Sequence, residues 1–424
     1  MTSNMMRAID RTFGPFLCWL ISIAYHLFSF RRERLVGPAR NVRRILFVKP
    51  SEMGSTILIY SSLCRAKELW PESQFYFLVF PETRPAVDLL PNVLRENVFT
   101  IRSDTLVNFI VDSVRRIIAL RSLKLDVAID LEFYSRSTAI LAGLVGARYT
   151  AGFERYTMEG LYKGSMLTHP VQYNCHIHTA SGFLMLVESL AVDTKQIPLV
   201  KVPIVPKESL VLPPFNPSRL EQNTLWKNIQ DANSRVKSTD RLVILNANAS
   251  DLLPLRKWPF ENYILLAQKL VGMPDVFIVL TGVAAEAKIT ENIAVAVGRN
   301  RCINLAGKTT LRSLVTLYTL SALMVTNDSG PSHFAALTDM PAITLFGPET
   351  PEIYGPLGAL KIAITADLGC SPCVSAYNHR RSPCNDNICM KSITVERVWQ
   401  ECQSLLAKDS DRTVARLITE LHDA

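Results

Sequence analysis

ALMVTNDSGPSHFAALTDMPAITLFGP, residues 322–348, holds two short apolar runs, LMVTN and AITLF, separated by a loop and one helix-length segment. Each run is too short for a helix and rich in branched side chains, so each reads as a buried strand. Pro331 fits the first position of the intervening helix, where its missing N–H costs nothing. The first strand delivers Asp328, Ser329 and Gly330 to its carboxyl end, and the second delivers Gly347, Pro348, Glu349 and Thr350.

The same alternation extends outward in both directions. RLVILNA (241–247), VFIVLTG (276–282) and RCINLAG (301–307) read as further strands of one sheet, and RRILFVK (43–49), FYFLVFPE (75–82) and VAIDLE (127–132) as strands of another. Amphipathic segments such as STILIYSSLCRAKELW and TLVNFIVDSVRRIIALRSLK separate them, which is the pattern of a mostly parallel sheet with helices on both faces. A Pro-rich passage, VKVPIVPKESLVLPPFNPSRL (200–220), interrupts the alternation and reads as a linker. The expected fold class is therefore α/β, with two doubly wound Rossmann-like domains facing one another across a cleft. The expected divisions are 1–40 for an apolar helix and its basic flank, 41–205, 206–400, and 401–424 for a last helix.

At 424 residues the chain is too long for one ordinary core, and 48% hydrophobic with 20% charged residues is a globular composition. A net charge of +8 suits an anionic partner: a phosphorylated substrate, a lipid surface or nucleic acid. No aromatic RNA-binding signature, zinc-finger spacing or heptad zipper accompanies the charge, so nucleic acid is not expected. Nor does any strand end in G-x-G-x-x-G or G-x-x-x-x-G-K-[ST], which argues against dinucleotide dehydrogenases and P-loop nucleotidases.

From Thr12 to Phe30 there are nineteen residues without a formal charge, followed by Arg31, Arg32, Arg34, Arg40, Arg43 and Arg44 against only Glu33. No small-residue cleavage site follows. A helix lying in a membrane interface, a membrane span and a buried packing helix remain open, with Ser22, Tyr25, His26 and Ser29 near one stripe. The first two alternatives place the following domain on the cytoplasmic side, and the segment is expected to be part of neither core.

Ligands of doubly wound sheets sit outside the carboxyl ends of the strands. There Gly330 permits close approach of a phosphate, and His333 can donate to it. Asn246, Asn248 and Ser250 offer hydrogen bonds after RLVIL, Arg256 and Lys257 offer cations to a leaving diphosphate, and Glu286 can accept from a ribose.

These segments, NDSGPSHFAAL…PAITLFGPETPEIYGP, NANAS…RKWPFENYILLAQKL, LTG…E, NLAGKTTLRSL, IDLEFYSRSTAILAGLVGARYTAGF and KPSEMGS, resemble in content and order those of glycosyltransferase family nine, the lipopolysaccharide heptosyltransferases. The resemblance covers roughly residues 43 to 400. It implies a glycosyltransferase of the B fold, inverting and metal-independent, with no required cofactor. Such an enzyme moves a heptose-like sugar from a nucleotide diphosphate, typically an ADP-activated donor, to a lipid-linked or phosphorylated glycan such as a lipopolysaccharide core. It further implies that Asp328, Ser329, Gly330 and His333 hold the donor's sugar and diphosphate and that Asn248 and Ser250 contact the phosphates. Arg256 stands where the family commonly has lysine, Glu286 faces the ribose, Thr309 lies on the adenine side, and Asp130, Glu132 and Arg136 help hold the acceptor. The expected place is the cytoplasmic face of the inner membrane, peripheral or anchored by the N-terminus.

The resemblance also puts a catalytic Asp at position 55, where this chain has Ser55. A lone hydroxyl is far too weak a base, and Glu52 is the only carboxylate of KPSEMGST (49–56). Glu52 is therefore the expected base, with Asp130 in reserve and with Ser55 and Thr56 as helix N-cap groups; a surface acid paired with Lys49 is the alternative. A non-catalytic nucleotide-sugar-binding or assembly protein on the same fold remains the other function. Cys370, Cys373, Cys384 and Cys389 form two close pairs whose spacing suits either a structural zinc or free thiols.

Overall fold

The computed structural model describes residues 3–28, 37–154, 161–249, 253–375, 378 and 380–407. The chain divides into two compact units, Met1–Pro213 with Ser375–Arg381, and Pro214–Val374 with Ser382–Ala424. The expected last helix falls partly outside the described residues, which end in a helix over 395–407.

The first unit is built on β1 (Arg44–Val48), β2 (Gln74–Val79), β3 (Val98–Thr100), β4 (Val127–Asp130), β5 (Tyr149–Glu154) and β6 (His169–Gln172), all parallel, in the order β3-β2-β1-β4-β5-β6. Ile45 to Val48 are fully buried because helices cover both faces of the sheet, which is why the strand reads as a continuous apolar run. Each such side chain contributes on the order of 2 kcal/mol. The chain steps outward from β1 to β3, returns through the crossover helix Leu106–Ser122 to β4, and continues through the helix Arg136–Leu144 to β5. These two helices pack on one sheet face, where Leu120, Leu141 and Val145 meet Leu46, Val48 and Leu78.

The N-terminal helix, Ser3–Phe28, joins this unit rather than standing outside it. Asp10, Gly14, Cys18 and Ser22 recur every four residues and so form one stripe. Asp10 Oδ1 accepts from the backbone N–H groups of Arg136 and Ser137 at 2.9 and 2.8 Å, capping the helix Arg136–Leu144 from outside it. A Cβ at Gly14 would lie 2.7 Å from Arg136 Cδ, so only glycine lets that stem pass. Cys18 is buried with Ala139 and Met166, and burial pushes its thiol pKa up to about 11. Ser22, expected on a lipid-side polar stripe, instead faces inward, accepting from Ser165 N at 2.9 Å. The side chains of Tyr25 and His26, and all of Ser29 to Val36, lie outside the described residues.

The second unit repeats the plan with β7 (Arg241–Asn246), β8 (Val276–Leu280), β9 (Cys302–Asn304), β10 (Leu323–Asn327), β11 (Ala342–Phe346) and β12 (Lys361–Thr365), in the order β12-β11-β10-β7-β8-β9. Its core gathers Trp258, Tyr263, Leu266 and Leu270 against Val243, Leu245, Ile278 and Val325. In both sheets the direction of winding reverses beside the first strand, between β1 and β4 and between β7 and β10. The carboxyl ends of those strands flank the crevice where doubly wound sheets hold ligands.

Candidate active site

In the first unit the switch point is an ordered set of ion pairs. Asp130, fully buried at the end of β4, takes Lys163 Nζ at 2.9 Å on one oxygen and Glu132 N at 3.1 Å on the other. Glu132 takes Lys49 Nζ at 2.8 Å and Ser51 Oγ at 3.0 Å. Each buried carboxylate thus has its own lysine, the condition under which buried charges are tolerated. Asp130 has no exposed surface, and Glu132, 8% exposed, ties down the loop after β1. Arg136 is likewise engaged elsewhere, with Asp10 Oδ2 at 3.6 Å and with Tyr162 O, which its Nε–H reaches at 3.0 Å. Asp130, Glu132 and Arg136 thus each have protein partners in place.

Glu52 differs from all three. Its side chain is 41% exposed, and its carboxylate lies 3.6 Å from Lys49 Nζ and 2.5 Å from Arg380 Nη1. Its backbone is left-handed (φ 61°, ψ 68°), a conformation uncommon for a residue with a Cβ and found disproportionately at functional sites. The short helix Met53–Thr56 starts directly after it, so Glu52 and not Ser55 or Thr56 occupies the N-cap position. Ser55 Oγ instead donates back to Glu52 O at 2.9 Å, and Thr56 Oγ1 to the same oxygen at 3.4 Å. The hydroxyls brace the turn that presents the carboxylate.

In the second unit the strand ends are tied together before any ligand arrives. Asn246 Nδ2 donates to Thr281 O at 3.2 Å, and Asn327 Nδ2 to Ala247 O at 3.0 Å while its Oδ1 accepts from Trp258 N at 3.0 Å. Asn387 holds the backbone carbonyls of Leu255 and Lys257, which fixes the loop carrying Arg256. Arg256 Nη1 lies 3.7 Å from Asp328 Oδ2 and 3.5 Å from Glu349 Oε2, and both carboxylates are buried. Among the described residues Arg256 Nε and Asn248 Nδ2 are buried without a hydrogen-bond partner. Each such orphan costs about 1–3 kcal/mol, so these donors mark a place built for an acceptor.

Ser329 and Gly330 follow β10 directly, and His333 is buried in the six-residue helix Gly330–Ala335. Glu286 Oε2 accepts from Val283 N at 2.8 Å and so caps its own turn. A Cβ at Gly282 would meet that oxygen at 2.6 Å and Asn248 Nδ2 at 3.3 Å, so Glu286 and Asn248 both lie close to this glycine. Thr309 is half-buried in the loop after β9, two residues beyond Gly307, whose φ of 73° and close approach to Ala284 likewise require glycine. Ser250 lies outside the described residues. Sequence reasoning missed Lys163, Arg380 and the burial of Glu349, for none of which a local signal exists.

Cys370, Cys373, Cys384 and Cys389 form no disulfide, the first and third being exposed and the last buried. Burial and the neighbouring thiols raise the pKa of Cys389. Cys373 Sγ meets Ser382 Oγ at 3.3 Å, and Cys384 Sγ donates to Asp386 O at 3.0 Å. Among the described residues no three His, Cys, Asp or Glu side chains are grouped to hold a metal ion.

Two parallel sheets with polar groups gathered at each switch point define a doubly wound α/β protein with two functional edges. The chain belongs to glycosyltransferase family 9 (heptosyltransferase), whose profile matches residues 115–382. It is 29% identical over 204 residues to lipopolysaccharide heptosyltransferase 2 of Salmonella typhimurium, covering 45% of this chain and 56% of that one. It is 24% identical over 375 residues to lipooligosaccharide heptosyltransferase 2 of Haemophilus ducreyi, covering 86% of this chain and 99% of that one. The first of these matches thus spans about half of the relative's length, 56%. In fold the chain is similar to the E. coli ADP-heptose lipopolysaccharide heptosyltransferase II, with a TM-score of 0.67 and 22% identity over 87% of this chain and 99% of that one.

Proposed function

We propose that the protein transfers a heptose from ADP-heptose to a lipopolysaccharide core, with inversion at the anomeric carbon and without a catalytic metal. The observation that carries this reading is the presence of two buried, unsatisfied donors after the strands of the second unit, Arg256 Nε and Asn248 Nδ2, with Arg256 near the buried carboxylate of Asp328. A diphosphate supplies the acceptors those donors lack, and a sugar supplies hydroxyls to Asp328. Arg256, Lys257, Asn248, Ser250, Ser329, Gly330 and His333 hold the donor's phosphates, Glu286 the ribose, and Thr309 lines the adenine side. The names of the relatives, lipopolysaccharide and ADP-heptose heptosyltransferases, support the donor and the acceptor.

In the first unit Glu52 takes the proton of the acceptor hydroxyl while that oxygen bonds to the anomeric carbon. The bond from that carbon to the diphosphate breaks, and ADP leaves with its new charge against Arg256. A general base contributes about a hundredfold to ten-thousandfold to such a step. A lipid-borne acceptor puts the protein at a membrane surface, peripherally on the cytoplasmic face of the inner membrane. No cofactor enters the reaction; structural zinc at the four cysteines is a separate proposal, decided by metal analysis of the purified chain at one equivalent or none.

The test is incubation with ADP-heptose and a heptose-deficient lipopolysaccharide, where the acceptor should gain the mass of one heptose. Ser55, at the position where family resemblance puts the catalytic Asp, favours a second reading, a non-catalytic nucleotide-sugar-binding or assembly protein. Binding of ADP-heptose with no transfer to any core acceptor selects that second reading.

A further inference from the structure

The inward stripe of the N-terminal helix is polar or small, which leaves its bulky side chains outward. Phe13, Phe16, Trp19, Leu20 and Leu27 are all exposed, Trp19 to 51% and Leu27 to 61%. This inverts the usual arrangement of a surface helix, whose apolar side faces the core. No described helix is long and apolar enough to cross a membrane.

A second helix repeats the anomaly. The crossover helix Leu106–Ser122 buries Leu120 against the sheet but exposes Val107, Ile110, Val111, Val114 and Ile118, at spacings of three and four that make one stripe. Val107 and Ile118 are 69% and 65% exposed. Both helices pack against Arg136–Leu144, so the two stripes lie on neighbours of one helix of the first unit.

Charge says what covers those stripes. Within the described side chains of the two helices the acids are Asp10 and Asp112, and each is turned inward, Asp10 to the cap of Arg136–Leu144 and Asp112 to Arg102 at 2.8 Å. The arginines Arg7, Arg11, Arg115 and Arg121 are exposed, as are Arg40, Arg43 and Arg44 of the basic flank, and Arg44 reaches Leu123 O at the end of the crossover helix. Exposed apolar stripes bordered by arginines, with the acids withdrawn, match an anionic lipid surface, whose acyl boundary takes the apolar side chains and whose phosphates take the guanidinium groups.

We propose that the first unit lies on anionic phospholipid bilayers through a two-helix face, the outward sides of Ser3–Phe28 and Leu106–Ser122 acting together. This specifies the membrane association in the reading above, yet it needs no sugar transfer, so vesicle binding and catalysis fail independently. The N-terminal helix is then one wall of a rigid platform, clamped at Asp10 and Ser22, rather than a tether.

The experiment sediments the full chain with vesicles of phosphatidylglycerol and phosphatidylcholine, and with phosphatidylcholine alone. The wild type should follow the anionic vesicles and bind the neutral ones weakly. The double variant Val107→Glu, Ile118→Glu should need about tenfold more anionic lipid for half-maximal binding, although the N-terminal helix is intact. Its thermal midpoint and the rise ADP produces in it should match the wild type; if the midpoint falls, Val107→Ser alone, at the most exposed position, gives the same reading. Wild-type sedimentation by these variants overturns the role of the crossover helix. A wild type that ignores vesicles but dimerises in analytical ultracentrifugation, with the dimer abolished by the same substitutions, assigns the face to a second copy and overturns the proposal.

Discussion

The two switch points are built from the same residue types and solve the charge problem in opposite ways. In the first unit each buried carboxylate has its own ammonium group, Asp130 with Lys163 at 2.9 Å and Glu132 with Lys49 at 2.8 Å. In the second a single guanidinium stands 3.7 and 3.5 Å from two buried carboxylates, beyond hydrogen-bond distance, with its own Nε unsatisfied. Tight one-to-one pairing fixes a scaffold, and here it fixes the loop that lifts Glu52 into solvent. The looser geometry leaves the Arg256 Nε donor for a ligand to satisfy. The lesson is that buried acids at equivalent strand ends differ in how closely their cations approach, 2.8–2.9 Å in the first unit against 3.5–3.7 Å in the second.

The largest effect should come from Glu52, whose side chain is 41% exposed beside the first switch point. Glu52→Gln should lower transfer by about a hundredfold to ten-thousandfold with ADP binding retained, while Ser55→Ala, which removes only a brace, should cost far less. Full turnover in Glu52→Gln would move the base elsewhere and dissolve the contrast. Next, Lys163→Met removes the ammonium group paired with buried Asp130, and should cost about 3–5 kcal/mol by urea unfolding. A loss under 1 kcal/mol would mean that the first switch point is as loosely compensated as the second.

The first unit also carries a pH handle. His169 is fully buried, and desolvation holds its pKa down to about 4 against 6.5 for the free side chain. As pH falls the unfolded chain takes up the proton first, so the stability is complete above about pH 6.5 and is lost progressively toward pH 4, by up to about 3 kcal/mol. Urea midpoints measured across that range should fall in the wild type and flatten in His169→Gln; parallel curves would remove His169 from the account. The smallest effect belongs to the second switch point. Arg256→Met should weaken ADP binding about tenfold with little loss of stability, and Glu349→Gln should change affinity less, because Asp328 still faces the guanidinium. A stability loss in Arg256→Met equal to that in Lys163→Met would show the two sites to be alike.

Much of this was legible before folding. Strands such as RILFV and LMVTN declare themselves because a strand buried on both faces has to be apolar throughout, and Gly, Pro and Asn at their ends declare the loops. These are local properties, carried by neighbouring residues, and they sufficed to put Glu52, Asn248, Arg256 and Asp328 at carboxyl ends of strands. Which of those side chains is spent and which is offered was not local. Lys163 finds Asp130 across 33 positions, Lys49 finds Glu132 across 83, and Arg380 finds Glu52 across 328. The N-terminal segment makes the same point: its apolar run was plain, but the choice of Asp10, Gly14, Cys18 and Ser22 as the inward side depended on the backbone N–H groups of Arg136 and Ser137, which the Ser135 cap leaves to Asp10. Burial and ion pairing are set by whatever the rest of the chain brings alongside, so the sequence determined where the functional loops lie, and only tertiary packing decided which of their charges remain free to act.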